Sequence, residues 1–182
     1  MQQQWSDQEL VDGILRGNPT HQMALYRQYN VPMFRILLRY ARDRAEAEDM
    51  MQDAFIRVYR DMGQFRGDGA LGGWIRRIMV NASIDFYRKS IRHRTEDMEC
   101  AYAESAEGED AISMCSAEEI MKAVQTLPPS YRAVFNLYAI EGYSHKEIGD
   151  LLNITESTSR SNLVKARGKL QEMLAHLNKV RR

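Results

Sequence analysis

Apolar residues recur along this chain at intervals of three and four, and no stretch alternates convincingly with period two. That pattern predicts an all-α protein. Ser6-x-x-Glu9 has the form of a capping box and opens a short helix that stops at Gly17-Asn18-Pro19. A second helical stretch covers about 20–42 and offers Met23, Leu25, Tyr26, Tyr29, Phe34, Leu37, Leu38 and Tyr40 to a core, with Pro32 expected to kink or divide it. Asp43-x-x-Glu46 caps a third helix. Met51, Ala54, Phe55, Val58 and Met62 form its apolar stripe, and Glu46, Asp49, Asp53, Arg57 and Arg60 lie away from that stripe. A Gly-rich loop over 63–69 displays Phe65. A long helix follows from about 71 to 93, with Leu71, Trp74, Ile75, Ile78, Ala82 and Phe86 assigned to its buried side.

From Thr95 to about Cys115 the periodicity lapses, and Ala, Glu, Ser and Gly dominate, as in a mobile linker. Helical order resumes with Ser116-x-x-Glu119, whose helix ends at Leu127-Pro128-Pro129. The next helix spans about 130–141 and is closed by Gly142. Ser144-x-x-Glu147 then caps a short helix ending at Leu152. Asn153-Ile154-Thr155 makes a turn, and a last helix runs to about Asn178. The architecture read from this is two small helical domains, 1–94 and 116–182, joined by a linker over 95–115.

Charge sharpens the division. The 182 residues carry 25 basic and 25 acidic side chains, and a neutral total argues against a nucleic-acid binder. The distribution reverses that inference. Residues 1–94 have a net charge of +4, residues 95–120 of −9 with no base at all, and residues 121–182 of +5. A solvated acidic linker accounts for the middle; two basic modules on a tether that avoids phosphate account for the whole. No apolar run approaches the roughly 18 residues of a membrane-spanning helix, the N-terminus lacks the build of a secretion signal, and two cysteines cannot form a disulfide framework. The expectation is a soluble, cytoplasmic protein without membrane insertion.

A short capped helix, a three-residue turn and a longer basic helix is the sequence form of a helix-turn-helix. Its core is read as Val134, Leu137, Ile140, Ile148, Leu151, Leu152, Ile154, Leu163, Ala166, Leu170, Leu174 and Leu177. At about 100° per residue, Ser157, Ser161, Val164, Lys165 and Gly168 of the last helix face away from that core, with Arg160 at the edge. Small polar and basic groups on such a face suit the major groove. In the N-terminal half, Arg77, Asn81, Arg88 and Arg92 make a stripe beside the buried one, and residues 74–94 hold six basic side chains and one acid. Basic groups track phosphates, and aromatic or amide groups hold an unstacked base.

Taken together, two patterns carry a resemblance. One is Ala47-Glu48-Asp49-x-x-Gln52-Asp53-x-Phe55 followed by Trp74-Ile75-x-x-Ile78-x-x-Asn81-x-x-x-Asp85-x-x-Arg88. The other is Leu127-Pro128-x-x-x-Arg132, then Gly142-Tyr143-Ser144-x-x-Glu147-Ile148, then Thr158-x-Arg160-Ser161 to Ala166-Arg167-x-x-Leu170. In this order they resemble the second and fourth conserved regions of bacterial sigma factors of the extracytoplasmic-function (ECF) type, over roughly residues 9–175.

The resemblance implies a dissociable initiation subunit of RNA polymerase. Asp49, Gln52, Asp53 and Arg57 would dock on core polymerase. Phe65, Arg77, Asn81, Arg88, Lys89 and Arg92 would capture the −10 strand as it melts. Thr158, Arg160, Ser161, Asn162, Val164 and Lys165 would meet the −35 duplex, with Arg167 and Lys169 on phosphate. A cognate anti-sigma factor is a further implied partner. Three features depart from the family pattern: Ser159 stands on the core side where an apolar residue is usual, and is expected to bond back to a carbonyl of the preceding turn; Asn162 replaces a common Arg, shifting upstream preference; and Gly72-Gly73 precedes Trp74 as a flexible pair.

Other classes fit less. A helix-turn-helix regulator acting without polymerase leaves the Asp49/Gln52/Asp53 face and the Trp74–Arg88 pattern unexplained, and operator binding usually wants a dimer. An enzyme is not expected. His21, His93, His145 and His176 are dispersed, Cys100 and Cys115 lie in the linker without a metal set, and no P-loop or nucleophile elbow is present. No metal and no cofactor is predicted.

Overall fold

The computed structural model describes residues 5–96 and 117–180, and side chains over 5–91 and 119–173. Eight α-helices make up nearly all of it: α1 (Asp7–Leu15), α2 (Pro19–Tyr40), α3 (Arg44–Arg60), α4 (Leu71–Glu96), α5 (Ala117–Thr126), α6 (Pro129–Phe135), α7 (His145–Leu152) and α8 (Glu156–Val180). A single 3₁₀ turn follows α3 at Met62–Gln64, and a π-helical turn continues α6 over Asn136–Ile140. No strand occurs among the described residues. The chain divides into two compact units between Asp85 and Phe86, within α4. The acidic stretch with Cys100 and Cys115, the Ser116 cap, and the side chains of Arg92, Leu174 and Leu177 lie outside the described residues.

In the first unit the α1 cap forms as the sequence predicts. Ser6 N–H donates to Glu9 Oε2 (2.8 Å), and Glu9 N–H donates to Ser6 Oγ (3.3 Å), so two orphan donors are satisfied reciprocally. At α3 only half of the expected box forms. Glu46 N–H donates to Asp43 Oδ1 (2.8 Å), but the Glu46 carboxylate takes the N–H of Arg42 (2.5 Å), one residue further back. Pro32 does not divide α2, which runs unbroken over 22 residues. Pro32 is exposed, so the carbonyl that loses its partner can be hydrated.

The core of the unit departs from the expected set. Met33 and Ile36 are buried, whereas Met23 and Tyr26 are exposed. The predicted α3 stripe of Met51, Ala54, Phe55, Val58 and Met62 is buried throughout. On α4, Leu71, Ile75, Met79, Val80, Ala82 and Ile84 are buried, while Trp74, Ile78 and Phe86 are only half-buried. The start of α4 is fixed from far away in sequence: Leu71 N–H donates to Asp7 Oδ2 (3.1 Å), and Tyr29 Oη donates to Asp7 Oδ1 (3.3 Å). Gly72 and Gly73 therefore belong to an ordered first turn rather than a flexible hinge. A Cβ at Gly72 would come 3.0 Å from the Tyr29 ring.

In the second unit Ala123, Val124, Leu127, Ala166 and Leu170 form a cluster flanked by Tyr131, Phe135 and Met173. Arg132 is buried and its Nη1 donates to the carbonyl of Gln125 (2.6 Å), closing α5. Asn136 Nδ2 donates to the Arg132 carbonyl (3.0 Å), and the 136–141 backbone bond (3.0 Å) makes the π turn. Gly142, at φ +81°, ends it in the left-handed conformation that glycine adopts without strain. Ile140 is exposed and Leu151 and Ile154 are half-buried, so the core is smaller than the predicted list.

Candidate nucleic-acid interface

The helix-turn-helix is built by local rules. Ser144 caps α7 with the complete reciprocal box: Ser144 N–H to Glu147 Oε2 at 2.8 Å, Glu147 N–H to Ser144 Oγ at 3.3 Å. The Ser144 hydroxyl also donates to Glu147 Oε2 (2.7 Å), and this bond, followed by the one from the Ser144 N–H, favours the carboxylate and holds the Glu147 carboxyl below its ordinary value. Asn153 ends α7 at φ 55°, a left-handed position that Asn tolerates. Ile154 N–H returns to the Gly149 carbonyl (3.0 Å), and Thr155 Oγ1 accepts from Thr158 N–H (3.0 Å) to start α8. The turn is tight: a Cβ at Gly149 would lie 2.9 Å from the Ile154 carbonyl oxygen.

That turn sets the two faces of α8. Ser159, Asn162, Leu163, Ala166 and Leu170 are buried at helical spacing. Thr158, Arg160, Ser161, Val164, Lys165, Arg167 and Lys169 are exposed. Val164, at 70% exposure, is a large apolar group on an otherwise polar face. Asn162 is the exception among the predicted contacts. It is buried on the core side, so its side chain is not on the face available to a base edge.

The expectation for Ser159 is also corrected. Its hydroxyl lies 2.9 Å from His145 Nδ1 on α7, rather than on a carbonyl of the preceding turn. Both residues are buried, and each supplies the partner the other needs. Burial, followed by the Arg160 guanidinium, lowers the His145 imidazole below its ordinary value; Glu156 opposes this and Arg167 adds to it.

Three basic side chains of α8 have neighbours that hold them. Arg160 pairs with Glu156 one turn earlier (2.5 Å). Lys165 Nζ stands 5.9 Å from the centre of the Tyr131 ring, and the Arg167 guanidinium 5.8 Å from that of Tyr138. Tyr138 is itself stacked on His145, with ring centres 4.4 Å apart and planes 19° from parallel. The roles of Tyr131, Tyr138 and His145 are not legible in the sequence, because their partners on α8 lie 14–34 positions away and leave no periodic signal.

On α4, Arg77, Asn81, Arg88 and Lys89 are exposed. Phe65, held after the 3₁₀ turn, is half-buried with its ring centre 5.8 Å from that of Trp74. Trp74 is thus a partly accessible partner of Phe65 rather than a core residue. On α3, Asp49, Gln52 and Asp53 are exposed together with Ile56, which is 63% exposed. The spacing 49, 52, 53, 56 places all four on one face, a pattern the sequence contains and that a search for charge alone passes over. Arg57 stands apart from them: it is half-buried and paired with Asp85 of α4 (2.5 Å). Among the described residues no group of three His, Cys, Asp or Glu side chains is placed to hold a metal ion, and no helix is long and apolar enough to cross a membrane.

Known families account for both halves. Residues 25–93 match sigma-70 region 2, and residues 117–170 match sigma-70 region 4. Region 2 followed by region 4 is the division of an RNA polymerase sigma factor of the sigma-70 class. The chain is 31% identical over 176 residues to the ECF RNA polymerase sigma factor SigM of Mycobacterium tuberculosis, covering 95% of this chain and 87% of that one. It is 30% identical over 186 residues to the RNA polymerase sigma-H factor of Pseudomonas aeruginosa, covering 96% of each. The chain belongs to the ECF RNA polymerase sigma factors. Its fold is similar to that of the sigma factor RpoE from Bartonella quintana, solved in complex with the anti-sigma factor NepR, with a TM-score of 0.54 at 19% identity over 84% of this chain and 96% of that one.

Proposed function

We propose that this sigma factor works through three faces, built mainly from exposed residues of helices whose opposite sides are buried. Asp49, Gln52 and Asp53, joined by Ile56, dock the chain on core RNA polymerase. An acidic face with one apolar residue at its end suits a basic helical partner. Phe65, Arg77, Asn81, Arg88, Lys89 and Arg92 capture the −10 strand. Arg160, Ser161, Val164 and Lys165 read the −35 duplex, with Thr158, Arg167 and Lys169 fixing register on the backbone. Val164 offers an apolar contact of the kind a thymine methyl accepts. Asn162 and Arg57 leave the contact sets, the first for the α8 core and the second for its pair with Asp85.

Residues 1–94 then serve polymerase and the −10 element, residues 116–182 serve the −35 element, and the acidic 95–115 stretch tethers them without attracting phosphate. The protein acts in the cytoplasm by binding rather than by catalysis, and an anti-sigma factor is its natural inhibitor. The observation that carries the reading is the pair of exposed polar faces on α4 and α8 in a chain of this family.

The test separates the faces. Substituting Arg77, Asn81 and Arg88 together should impair promoter opening, read by permanganate reactivity of the melted strand, more than closed-complex formation. Equal loss of both would remove the strand-capture role. The alternative, a helix-turn-helix regulator that needs no polymerase, predicts tight promoter-duplex binding by the chain alone.

A further inference from the structure

Tyr138 has no role in the contacts proposed above, yet it stands between two groups that matter to them. Its ring is stacked on His145, with centres 4.4 Å apart and planes 19° from parallel. The guanidinium of Arg167 lies 5.8 Å from the ring centre, within the range in which a cation is held by the π face. His145 cannot swing away, because it is buried and its Nδ1 meets Ser159 Oγ at 2.9 Å. Ser159 in turn is fully buried on the core side of α8. The chain of contacts therefore leaves α8 at Ser159, passes through His145 and Tyr138, and returns to α8 two turns later at Arg167.

We propose that Tyr138 is a positioning residue for duplex binding, and that its ring, backed by His145, holds the Arg167 guanidinium in the orientation that meets a phosphate of the upstream element. An unsupported arginine samples many rotamers and must lose that freedom on binding DNA. A guanidinium already resting on an aromatic face loses less, and it keeps its N–H edge free for a phosphate oxygen. His145, the backing of the stack, also explains why the core side of α8 tolerates a serine at 159. The hydroxyl is the anchor of the stack.

The inference rests on α8 being the duplex-reading helix and Arg167 a phosphate contact, so the experiment includes an Arg167→Gln arm that tests that contact by itself. The probe is the promoter duplex that the unmutated chain, bound to core polymerase, selects from a randomised library. Its affinity is measured against salt concentration for the unmutated holoenzyme and for Arg167→Gln, Tyr138→Leu and Tyr138→Phe. Arg167→Gln should flatten the log–log salt slope by about 0.9, the value for one phosphate. Tyr138→Leu should weaken binding about two- to fivefold and move the slope toward that of Arg167→Gln, with little further loss when the two are combined. Tyr138→Phe retains the ring and should behave as the unmutated chain. If Tyr138→Leu does not fold, Tyr138→Met takes its place.

A merely structural role for the ring would reduce the active fraction and leave the slope unchanged, which overturns the positioning role alone. A slope unaltered by Arg167→Gln removes the phosphate contact and the positioning role with it.

Discussion

Gly149 tests the account of the helix-turn-helix through a contest of two effects of opposite sign. Replacing a helical glycine with alanine ordinarily stabilises a helix by about 1 kcal/mol, because alanine loses less backbone freedom. At Gly149 the added Cβ would sit 2.9 Å from the Ile154 carbonyl oxygen and 3.6 Å from the Glu156 nitrogen. Both are backbone atoms of the turn that launches α8, so no flexible side chain can step aside. Forcing a methyl into such a site costs roughly 1–3 kcal/mol, and a backbone obstacle argues for the upper half of that range. The net expectation for Gly149→Ala is a loss of about 1–2 kcal/mol.

Gly168→Ala supplies the control. It lies in the same helix-turn-helix, on α8, and a Cβ there meets nothing within 4 Å, so the full gain of up to about 1 kcal/mol should appear. Trp5 and Trp74 both lie in the first unit, so tryptophan fluorescence does not follow the second. Native-state hydrogen exchange at the buried α8 amides of Leu163 and Ala166 does. Opposite shifts in their opening free energies support the packed turn. A Gly149→Ala variant as stable as Gly168→Ala would show that the turn gives way and that its close approach constrains nothing.

Two further expectations concern polar groups that tie one helix to another. Because burial lowers the folded-state pKa of His145 below its ordinary 6.5, the unfolded chain takes up this proton first. The stability associated with the neutral ring is therefore full above about pH 6.5 and is lost as pH falls from there through the lower folded value. The groups facing the ring are Tyr138, Ser159, Arg160, Arg167 and Glu156. His145→Gln should flatten this part of the pH–stability profile of the second unit, and an unchanged profile would assign the titration elsewhere. Asp7→Ala removes the acceptor for the Leu71 N–H and should cost about 1–2 kcal/mol, the upper range for a lost helix cap, with exchange accelerating first at the start of α4.

The sequence states local rules well and distant partnerships poorly. The Ser6/Glu9 and Ser144/Glu147 boxes and the three-residue turn before α8 are legible because each is closed within four residues. Of the Asp43 box only half forms, since the Glu46 carboxylate takes the N–H of Arg42 instead of that of Asp43. The faces of α3 and α8 follow from helical period. Asn162 shows the limit of that method: family position suggested a DNA contact, while the helix turns it inward. Asp7 on the Leu71 amide, Arg57 on Asp85 and His145 on Ser159 span 64, 28 and 14 residues, and they arise only when helices pack. Trp74 and Ile78 likewise satisfy the apolar stripe of α4 but are only half-buried.

The central claim is that this chain confers promoter choice on a polymerase. Adding it to sigma-free bacterial core RNA polymerase, with a randomised promoter library as template, measures that directly. The account predicts a stable complex and transcripts that start downstream of one shared pair of spaced elements, lost when Asp49, Gln52 and Asp53 are replaced by Ala. Core polymerase that neither binds the chain nor gains defined start sites would contradict it.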